Sequence, residues 1–388
     1  MSYFQLEIPT RIHFGREILQ DVLNKEEEYF QGNILLITTG RTLISLGYVD
    51  SLKNALQRLP RVNSVTVYDQ ISANPQLQEI TLAAKTGKDS YVDMVVGFGG
   101  GSAIDAAKAT AAVIGTGYCV DELFYKHIEP DERTLPVIAI PTTAGTGSEL
   151  SKAAIVSDNR QHVKGGIRGR NLYPKLAIVD SIFTETVPFK VTMETGFDVL
   201  AHAMESYVSR AASSYTRMLS EQAVRIVGNE LAKLGKELSD EDAREKMSYA
   251  SMIMGINLGN ASTALPHRLQ YPLGAHTCTS HGAGLAAIYP AWIYYEYEIN
   301  PEKVSYLLGL LTGEKDIYSS REAFDVMKGY LEKLELPTTL DELGVTEDML
   351  PVLADEVSGN LANDKLSDKV DIVSQIYRCS LKRVQTLL

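Results

Sequence analysis

The chain has 388 residues, of which 45% are hydrophobic and 22% charged, and its formal net charge is −12 at pH 7. This length exceeds what one hydrophobic core usually serves, so we expect two domains. The negative charge argues against a nucleic-acid surface, which needs a basic patch, and against electrostatic attachment to an anionic membrane. We therefore expect a globular protein with neither nucleic-acid nor membrane partners.

The start of the chain and the cysteines indicate the compartment. The first 15 residues, MSYFQLEIPTRIHFG, lack a basic segment followed by an apolar one, so they predict no secretory signal. Cys119, Cys278 and Cys379 are odd in number and widely spaced, which is not the pattern of a disulfide framework. These features predict a cytoplasmic protein with reduced thiols.

The first half of the chain alternates strand-like and helix-like segments. The strand-like segments are rich in β-branched and apolar residues: NILLITTG (33–40), NSVTVYDQI (63–71), DMVVGFGGG (93–101), LPVIAIPTT (135–143) and KLAIVDS (175–181). Helical patterns lie between them: RTLISLGYVDSLKNALQRL (41–59), QLQEITLAAKTGKDSY (76–91) and SAIDAAKATAAVIG (102–115). This alternation predicts an α/β domain with a mostly parallel sheet that helices cover on both faces.

The second half has helical periodicity with no strand-like runs between the helices. Its helical patterns are TMETGFDVLAHAMESYVSRAA (192–212), YTRMLSEQAVRIVGNELAKLGKEL (215–238), AREKMSYASMIMGINLG (243–259) and REAFDVMKGYLEKL (321–334). We therefore predict a dinucleotide-binding α/β domain over residues 1–183. An all-helical domain that binds metal and substrate is predicted over residues 184–388.

Two turns rich in glycine and hydroxyl residues follow strand-like segments. The first contains Gly99, Gly100, Gly101 and Ser102, and the second contains Thr142, Thr143 and Thr146. Glycines let the backbone approach a pyrophosphate, and a following helix N-terminus offers free N–H groups. Tight packing at the first turn and simple helix capping at the second are the structural alternatives. Two such turns in one domain favour a nucleotide.

The residues after the first strand of this series bear on the choice of coenzyme. Domains that bind NAD commonly place an acidic residue after a strand to hold the ribose 2′-hydroxyl. Here the strand ends in Gly40 and Arg41, with no acid. Glycine leaves room for a 2′-phosphate and arginine can pair with it, so we predict NADP(H) in preference to NAD(H). A solvated surface arginine is the alternative.

Four residues of the second half form a candidate metal site. Asp198 and His202 are four residues apart in a helical pattern, so they share a helix face. Taken alone, this pair also fits an ordinary hydrogen bond within a helix. His267 and His281 lie in a separate stretch, LPHRLQYPLGAHTCTSHG (265–282), which contains Pro272. Three imidazoles and one carboxylate suit Fe(II) or Zn(II), either of which polarises a substrate oxygen as a Lewis acid.

The chain resembles the iron-dependent (group III) alcohol dehydrogenases, which share a fold with dehydroquinate synthase and glycerol dehydrogenase. The motifs GGGSAIDAAKA, PTTAGTGSE, GFDVLAHAMESYVS and the H…PLGA…HG pattern carry this resemblance. It implies metal ligation by Asp198, His202, His267 and His281. It also implies a dinucleotide cradled by the two turns, with Lys164 near the nicotinamide ribose.

The resemblance extends to residues outside these sets. It implies a homodimer, and it makes His276 a residue of the core or of the pocket lining rather than a ligand. Asp105 and Lys108 belong to the glycine-turn motif, with a structural role as open to them as a binding one.

Two departures from the family pattern concern the substrate. Tyr271 stands where many members have a histidine assigned to proton relay, and tyrosine is the poorer proton shuttle at neutral pH. Arg168, Arg170 and Arg268 lie in segments that are less basic in the family. Arginines near a metal site would suit an anionic substrate, although solvated charges or interdomain ion pairs are the better explanation for at least some of them.

We therefore predict a metal-dependent oxidoreductase that transfers hydride reversibly between NADP(H) or NAD(H) and an aldehyde or alcohol. The metal, with His267 among its ligands, would polarise the substrate oxygen, and Tyr271 would donate to that oxygen or carry the proton. A phosphonate- or carboxylate-bearing aldehyde is the anionic substrate to expect. The alternatives are a lyase similar to dehydroquinate synthase, which uses NAD transiently, and a polyol oxidase similar to glycerol dehydrogenase.

Overall fold

The computed structural model describes residues 3–277, 279–313 and 317–385. The chain forms two compact units. The first, the sheet unit, is Glu7–Thr186. The second, the helical unit, comprises the residues from Val187 onward together with the segment that ends at Leu6.

The described part of the sheet unit contains eight strands and six helices. The strands are β1 (Arg11–Gly15), β2 (Gly32–Thr39), β3 (Val62–Ile71), β4 (Met94–Gly99), β5 (Val137–Pro141), β6 (Ala153–Asp158), β7 (Val163–Arg168) and β8 (Leu176–Asp180). The helices are α1 (Leu19–Lys25), α2 (Thr42–Ser45), α3 (Tyr48–Gln57), α4 (Leu77–Asp89), α5 (Gly101–Thr116) and α6 (Val120–Tyr125).

Six of these strands form one parallel sheet in the order β1-β8-β5-β4-β2-β3. Alternate residues along β2 and β4 face opposite sides. Ile34, Leu36 and Val96 belong to a core shared with α1 and α3. Leu35, Ile37 and Val95 belong to a core shared with α4, α5 and α6. The prediction of a parallel sheet with helices on both faces is confirmed.

The order of the strands creates a crevice at one edge of the sheet. The chain runs from β2 outward to β3, returns to β4 on the other side of β2, and then continues to β5. The carboxyl ends of β2 and β4 therefore flank the switch point where open α/β sheets bind their ligands. The turns after β2, β4 and β5 all lie at this edge.

The helical unit is built from ten helices among the residues that the structure describes. They are α7 (Phe189–Val208), α8 (Ser214–Leu234), α9 (Glu241–Asn260), α10 (Leu265–Thr277), α11 (His281–Ile299), α12 (Pro301–Thr312), α13 (Ser320–Lys333), α14 (Leu350–Asp355), α15 (Ile372–Cys379) and α16 (Lys382–Gln385). The predicted helical character of the second half is confirmed.

Three segments differ from what the sequence predicts, namely residues 41–59, strand β1 and the β6–β7 hairpin, and a fourth, α10, is continuous in spite of its proline. The single helix expected over residues 41–59 is two helices, because Gly47 adopts a left-handed φ of 75° between α2 and α3. The stretch that contains Pro272 and Gly274 is nevertheless one helix, α10. An antiparallel β6–β7 hairpin and strand β1 were not predicted, since short polar or glycine-containing segments give weak strand signals.

Two further expectations concern the membrane and the cysteines. Within the described ranges, every helix is too short or too polar to cross a bilayer. Cys119 and Cys379 are free thiols, as expected, and Cys278 lies outside the described residues.

Candidate active site

Helix α7 carries three of the polar residues that form the candidate metal site. Asp198, His202 and Glu205 are spaced at four and three residues, so they follow one face of the helix. All three are buried, and the Asp198 side chain is 4% exposed. Such burial is unfavourable for carboxylates unless charges or hydrogen bonds compensate it.

Histidines from two other helices converge on the same carboxylate. His267 lies in the first turn of α10, and His281 is the first residue of α11. The Nε2 atoms of His202, His267 and His281 lie 3.6, 3.4 and 3.6 Å from Oδ1 of Asp198. One ligand atom each from Asp198, His267 and His281 lies within 4.8 Å of the others. The His202 ring stacks on His267 with 4.7 Å between centroids.

These distances have the size expected of ligands around one ion. Protein hydrogen bonds of the N–H···O type are commonly 2.7–3.2 Å long, so 3.4–3.6 Å is long for them. Two ligand atoms at about 2.1 Å from a tetrahedral ion are about 3.4 Å apart. Within the described part of the chain, Oδ1 of Asp198 and Nε2 of His267 have no hydrogen-bond partner, although both are buried. The donor set therefore fits a divalent cation.

The charges in this cluster depend on one another. Burial by itself raises the pKa of Asp198, but His202, His281 and His267 outweigh it and the net pKa is lowered. Burial by itself lowers the pKa of His267, but Glu205 and Asp198 raise that pKa to about 10. In the absence of a metal the cluster therefore retains protons, and a bound cation would replace them.

Two supporting side chains orient the imidazoles. Nδ1 of His267 donates to Oε1 of Glu205 at 2.7 Å, since an ionised carboxylate can only accept. Nδ1 of His281 donates to Oε1 of Gln270 at 2.6 Å. With one proton held on Nδ1, Nε2 is the nitrogen of each ring that would bind the cation, once the cation has displaced any proton held there. Supporting bonds of this kind fix the tautomer of metal-binding histidines.

Backbone packing brings the three helices together. A Cβ at Gly282 would lie 2.4 Å from the backbone oxygen of Glu194, so glycine is required where α11 meets α7. Oε2 of Glu205 accepts the Ala264 N–H at 2.8 Å, and Asp364 accepts the Leu265 N–H at 3.1 Å. Two buried carboxylates thus hold the start of α10 and fix the position of its histidine.

Tyr271 and His276, on the same helix, have other surroundings. Tyr271 lies four residues after His267, on the same face of α10, and its hydroxyl accepts a hydrogen bond from Nη1 of Arg268 at 3.2 Å. His276 is half-buried, and its Nε2 lies 2.6 Å from Glu356. Among the described residues, the group of potential ligand atoms within 4.8 Å of one another includes neither His276 nor His202. His202 is joined to the cluster by its 3.6 Å distance to Asp198, whereas His276 pairs with Glu356.

In the sheet unit, the two predicted turns contact each other. Gly99 has φ 151°, and a Cβ there would lie 2.7 Å from Ala103. A Cβ on Gly101 would lie 2.6 Å from the Thr146 hydroxyl, and one on Gly100 would lie 3.3 Å from that of Thr143. Thr142 N–H donates to Gly99 at 3.0 Å. The turns thus form one surface at the start of α5, whose backbone N–H groups suit a phosphate.

The remaining predicted coenzyme residues lie around this surface. Ser102 donates to the Ala73 carbonyl at 2.5 Å, and Lys164 donates to the Asn74 side chain at 3.0 Å. Both therefore contact the loop after β3. Gly40 has φ 59°, and a Cβ there would meet none of the described atoms within 4 Å. Arg41 follows it at the exposed end of β2.

Asp105 and Lys108 have a structural environment. Nζ of Lys108 is fully buried and donates to Ser148 at 2.8 Å, to Ser151 at 3.1 Å and to the Ala153 carbonyl at 2.8 Å. Asp105 accepts from Ser148 and from the Ile155 N–H. This network joins α5 to the segment after β5. Beside it, burial raises the pKa of Glu149 to about 7.

The predicted arginine cluster is divided between the two units. Arg168 donates to the Gly166 carbonyl, and Arg170 pairs with Glu7, so both have partners within the sheet unit. Arg268 lies in the helical unit, next to His267 in the chain.

Sequence reasoning missed the residues that support the histidines. Glu205 could have been found, because it continues the spacing of Asp198 and His202 along one face of α7. Gln270 and Asp364 gave no such signal, since their roles depend on contacts across 11 and 99 residues of the chain.

Two family models match the chain. Residues 9–181 match the model described as iron-containing alcohol dehydrogenase, and residues 192–380 match the C-terminal model of the Fe-containing alcohol dehydrogenase family. The long-chain-alcohol dehydrogenase 1 of Geobacillus thermodenitrificans is 32% identical over 359 residues, 91% of this chain and 90% of that protein.

Two further similarities cover nearly the whole chain. The sulfoacetaldehyde reductase of Bilophila wadsworthia is 28% identical over 363 residues, 92% of each protein. An archaeal halo-thermophilic alcohol dehydrogenase from a Red Sea brine pool has a similar structure, with a TM-score of 0.91 and 26% identity over 98% of this chain and 100% of that one. The protein is therefore an oxidoreductase that belongs to the iron-containing alcohol dehydrogenase family.

Proposed function

We propose that the protein transfers hydride reversibly between NADP(H) and an aldehyde or alcohol, and that it requires a divalent metal ion to do so. The observation that carries the metal requirement is the convergence of three imidazole Nε2 atoms on Oδ1 of Asp198 at 3.4–3.6 Å. The donor set of three nitrogens and one oxygen suits Fe(II) or Zn(II) better than Mg²⁺ or Ca²⁺, which prefer oxygen ligands.

Asp198, His202, His267 and His281 are the residues we assign as ligands. When bound, the metal supplies Lewis-acid polarisation of the carbonyl oxygen of the substrate. Glu205 and Gln270 keep the protons of His267 and His281 on Nδ1. The buried carboxylate balances positive charge in the site, and the α7, α10 and α11 backbones hold the four side chains in place.

The coenzyme assignment rests on the surface formed by the two turns of the sheet unit. We assign the pyrophosphate to Gly99, Gly100, Gly101 and Ser102, with Thr142, Thr143 and Thr146 beside them. Nicotinamide coenzymes supply or accept the hydride. Lys164, 3.0 Å from Asn74, is assigned to the ribose. The open space at Gly40 and the exposed guanidinium of Arg41 favour NADP(H).

Tyr271 is assigned to the substrate oxygen and its proton. Its position one turn after His267 places it on the ligand-bearing face of α10. The family resemblance also predicts a homodimer and a cytoplasmic location, and both stay predictions.

For the substrate we propose an aldehyde that carries an anionic group. The similarity to a protein named sulfoacetaldehyde reductase supports this class, because that aldehyde bears a sulfonate. Arg268, buried next to His267, supports it from the side of this chain.

The test is an anaerobic assay of NADPH and NADH oxidation with a panel of neutral and anionic aldehydes, using enzyme loaded with Fe(II) or Zn(II). We expect stoichiometric NADPH oxidation and alcohol formation, lost when a chelator removes the metal. Conversion of substrate without net oxidation of coenzyme would contradict a dehydrogenase and indicate a lyase.

A further inference from the structure

Arg268 is a buried arginine without a carboxylate partner among the residues that the structure describes. Its residue is 4% exposed. Nη1 donates to the Tyr271 hydroxyl at 3.2 Å, and Nη2 donates to the Ser262 hydroxyl at 3.4 Å. Its buried Nε has no hydrogen-bond partner in that part of the chain. The guanidinium also lies over the Tyr271 ring, with Cζ 5.7 Å from the ring centroid. Two long bonds to neutral hydroxyls and one ring face still compensate a buried positive charge less well than a carboxylate would.

Another buried arginine of the helical unit, Arg244, has hydrogen-bond acceptors that compensate the burial of its charge. Arg244 donates to the carbonyls of Leu238 and Val187 and to the Thr192 hydroxyl at 2.9–3.0 Å. Nε and both terminal nitrogens of Arg244 are therefore engaged at normal hydrogen-bond distances. Arg268 lacks this arrangement, so its guanidinium retains capacity for an acceptor that the described chain does not provide.

The position of the guanidinium relates it to the candidate metal site. Arg268 follows His267 directly in α10, and its partner Tyr271 lies one turn after His267 on the same helix face. A Cβ on Gly359 would lie 3.1 Å from Cδ of Arg268, so the 359 segment packs closely against the arginine stem. Packing on the stem and the bond to Tyr271 fix the guanidinium, and through Tyr271 they connect it to the helix face that carries His267.

We propose that Arg268, held in place by its hydrogen bond to Tyr271, binds the anionic group of the substrate, a carboxylate, sulfonate or phosphonate on a small aldehyde. The proposal rests on the proposed function. A guanidinium offers two parallel N–H donors to an oxyanion, and charge-assisted bonds of this kind are short and strong. In a protein of net charge −12, a local cation is needed to offset general repulsion of an anionic substrate.

The structural alternative is that Arg268 only stabilises the end of α9. Ser262 follows that helix closely, and a cation near a helix C-terminus is favourable. In that case Arg268 would contribute to stability but not to the choice between anionic and neutral aldehydes.

The test compares matched aldehydes in the metal-loaded, full-length enzyme. Succinate semialdehyde is paired with butanal, and sulfoacetaldehyde and phosphonoacetaldehyde are paired with propanal. For wild type we expect kcat/KM for at least one anionic aldehyde to exceed that of its neutral partner by about tenfold or more. Arg268→Met should lower this ratio by roughly 10- to 100-fold, chiefly through KM, because it removes the charge-assisted bonds. Arg268→Lys should restore part of it.

A binding measurement keeps the test decisive if Arg268→Met does not fold. Calorimetry on wild type and Arg268→Lys, without coenzyme, should show tighter binding of 4-hydroxybutanoate than of butan-1-ol, and a weaker preference in the lysine variant. Equal ratios in wild type and the variants, or a wild-type preference for the neutral aldehydes, would overturn the proposal while leaving the proposed function intact. Failure of NADPH to reduce any aldehyde would overturn both.

Discussion

Oε1 of Glu205 lies 2.7 Å from Nδ1 of His267, and Glu205 is completely buried on the same helix as Asp198. Its other oxygen accepts the Ala264 N–H at 2.8 Å. One carboxylate therefore fixes both the tautomer of a proposed metal ligand and the start of the helix that carries it. Glu205 acts through His267, so we regard it as a positioning residue.

Glu205→Gln should weaken metal binding by roughly 10- to 100-fold, the usual effect of losing such a supporting residue. Glutamine has one acceptor oxygen, so it cannot serve both His267 and Ala264. Metal affinity measured by competition with a chelator checks this, and NADPH affinity should be unchanged. The control is Glu230→Gln, which removes a carboxylate paired with Lys233 and Lys246 in the same unit. Equal effects of both variants would contradict a specific role for Glu205.

Gly282→Ala should lower both stability and metal content. A Cβ there would lie 2.4 Å from the Glu194 backbone oxygen, so α11 must move away from α7 and take His281 with it. We expect a loss of about 1–3 kcal/mol in the free energy of unfolding, as for overpacked cores.

Gly329→Ala is the matched control for this substitution. It also lies within a helix, but a Cβ there would meet none of the described atoms within 4 Å. This variant should gain about 0.5–1 kcal/mol, because alanine favours the helix interior. Denaturant unfolding and metal analysis measure both effects. Full metal content in Gly282→Ala would show that the contact does not position His281.

Glu149 should make the stability of the sheet unit depend on pH. Burial raises its pKa from the ordinary value of 4.5 to about 7. The unfolded chain therefore ionises first, and the stability contributed by the neutral form is present below pH 4.5 and lost as pH rises through about 7.

Glu149→Gln should remove this dependence, since glutamine does not titrate. Relative to wild type, the variant should gain up to about 3 kcal/mol in unfolding free energy between pH 4.5 and pH 8. Denaturant unfolding across this range measures the difference. Glu132→Gln, at an exposed position, is the control and should follow wild type. Parallel profiles for Glu149→Gln and wild type would contradict the raised pKa.

Arg41→Ala should change the choice of coenzyme. If Arg41 pairs with the 2′-phosphate, its loss should raise the KM for NADPH by roughly 10- to 100-fold and leave that for NADH nearly unchanged. Steady-state kinetics with both coenzymes measure this. Arg61→Ala removes another exposed arginine of the sheet unit and should affect neither KM. Equal increases in the KM values for NADPH and NADH would show that Arg41 does not pair with the 2′-phosphate.

The sequence predicts the sheet unit well where strands are buried on both sides. Segments such as residues 93–101 are apolar throughout and end in glycines, which distinguishes β4 and its turn from a surface strand. The sequence does not predict the β6–β7 hairpin, because its second strand, VKGGIR, contains two glycines together with a lysine and an arginine and therefore gives a weak strand signal. The helical pattern over residues 41–59 continues through Gly47, so the sequence does not predict the left-handed conformation that separates α2 from α3.

The candidate site could be predicted only in part, because several of its contacts join residues that are distant in sequence. Spacing along one helix indicates that Asp198 and His202 lie together, whereas grouping them with His267 and His281 depends on donor chemistry and on the family resemblance. In the structure the Nε2 atoms of all three histidines lie 3.4–3.6 Å from Oδ1 of Asp198. Helix α10 continues through Pro272 and makes contacts with segments distant in sequence. The Tyr377 hydroxyl, for example, donates to the Leu269 carbonyl at 2.5 Å, within the turn that precedes the proline. The pairing of Gln270 with His281 is likewise a contact between two helices, and local sequence patterns do not predict such contacts.

The central claim is that Asp198 and the three histidines bind a catalytic metal ion. The most direct measurement is the metal content per chain of wild type, His267→Ala and His276→Ala after anaerobic loading, together with turnover and NADPH affinity. Wild type and His276→Ala should hold about one tightly bound ion per chain, the number that a single four-ligand site accommodates. His267→Ala should lose the ion and its turnover while still binding NADPH. Metal retention by His267→Ala, or turnover with no metal bound, would contradict the claim.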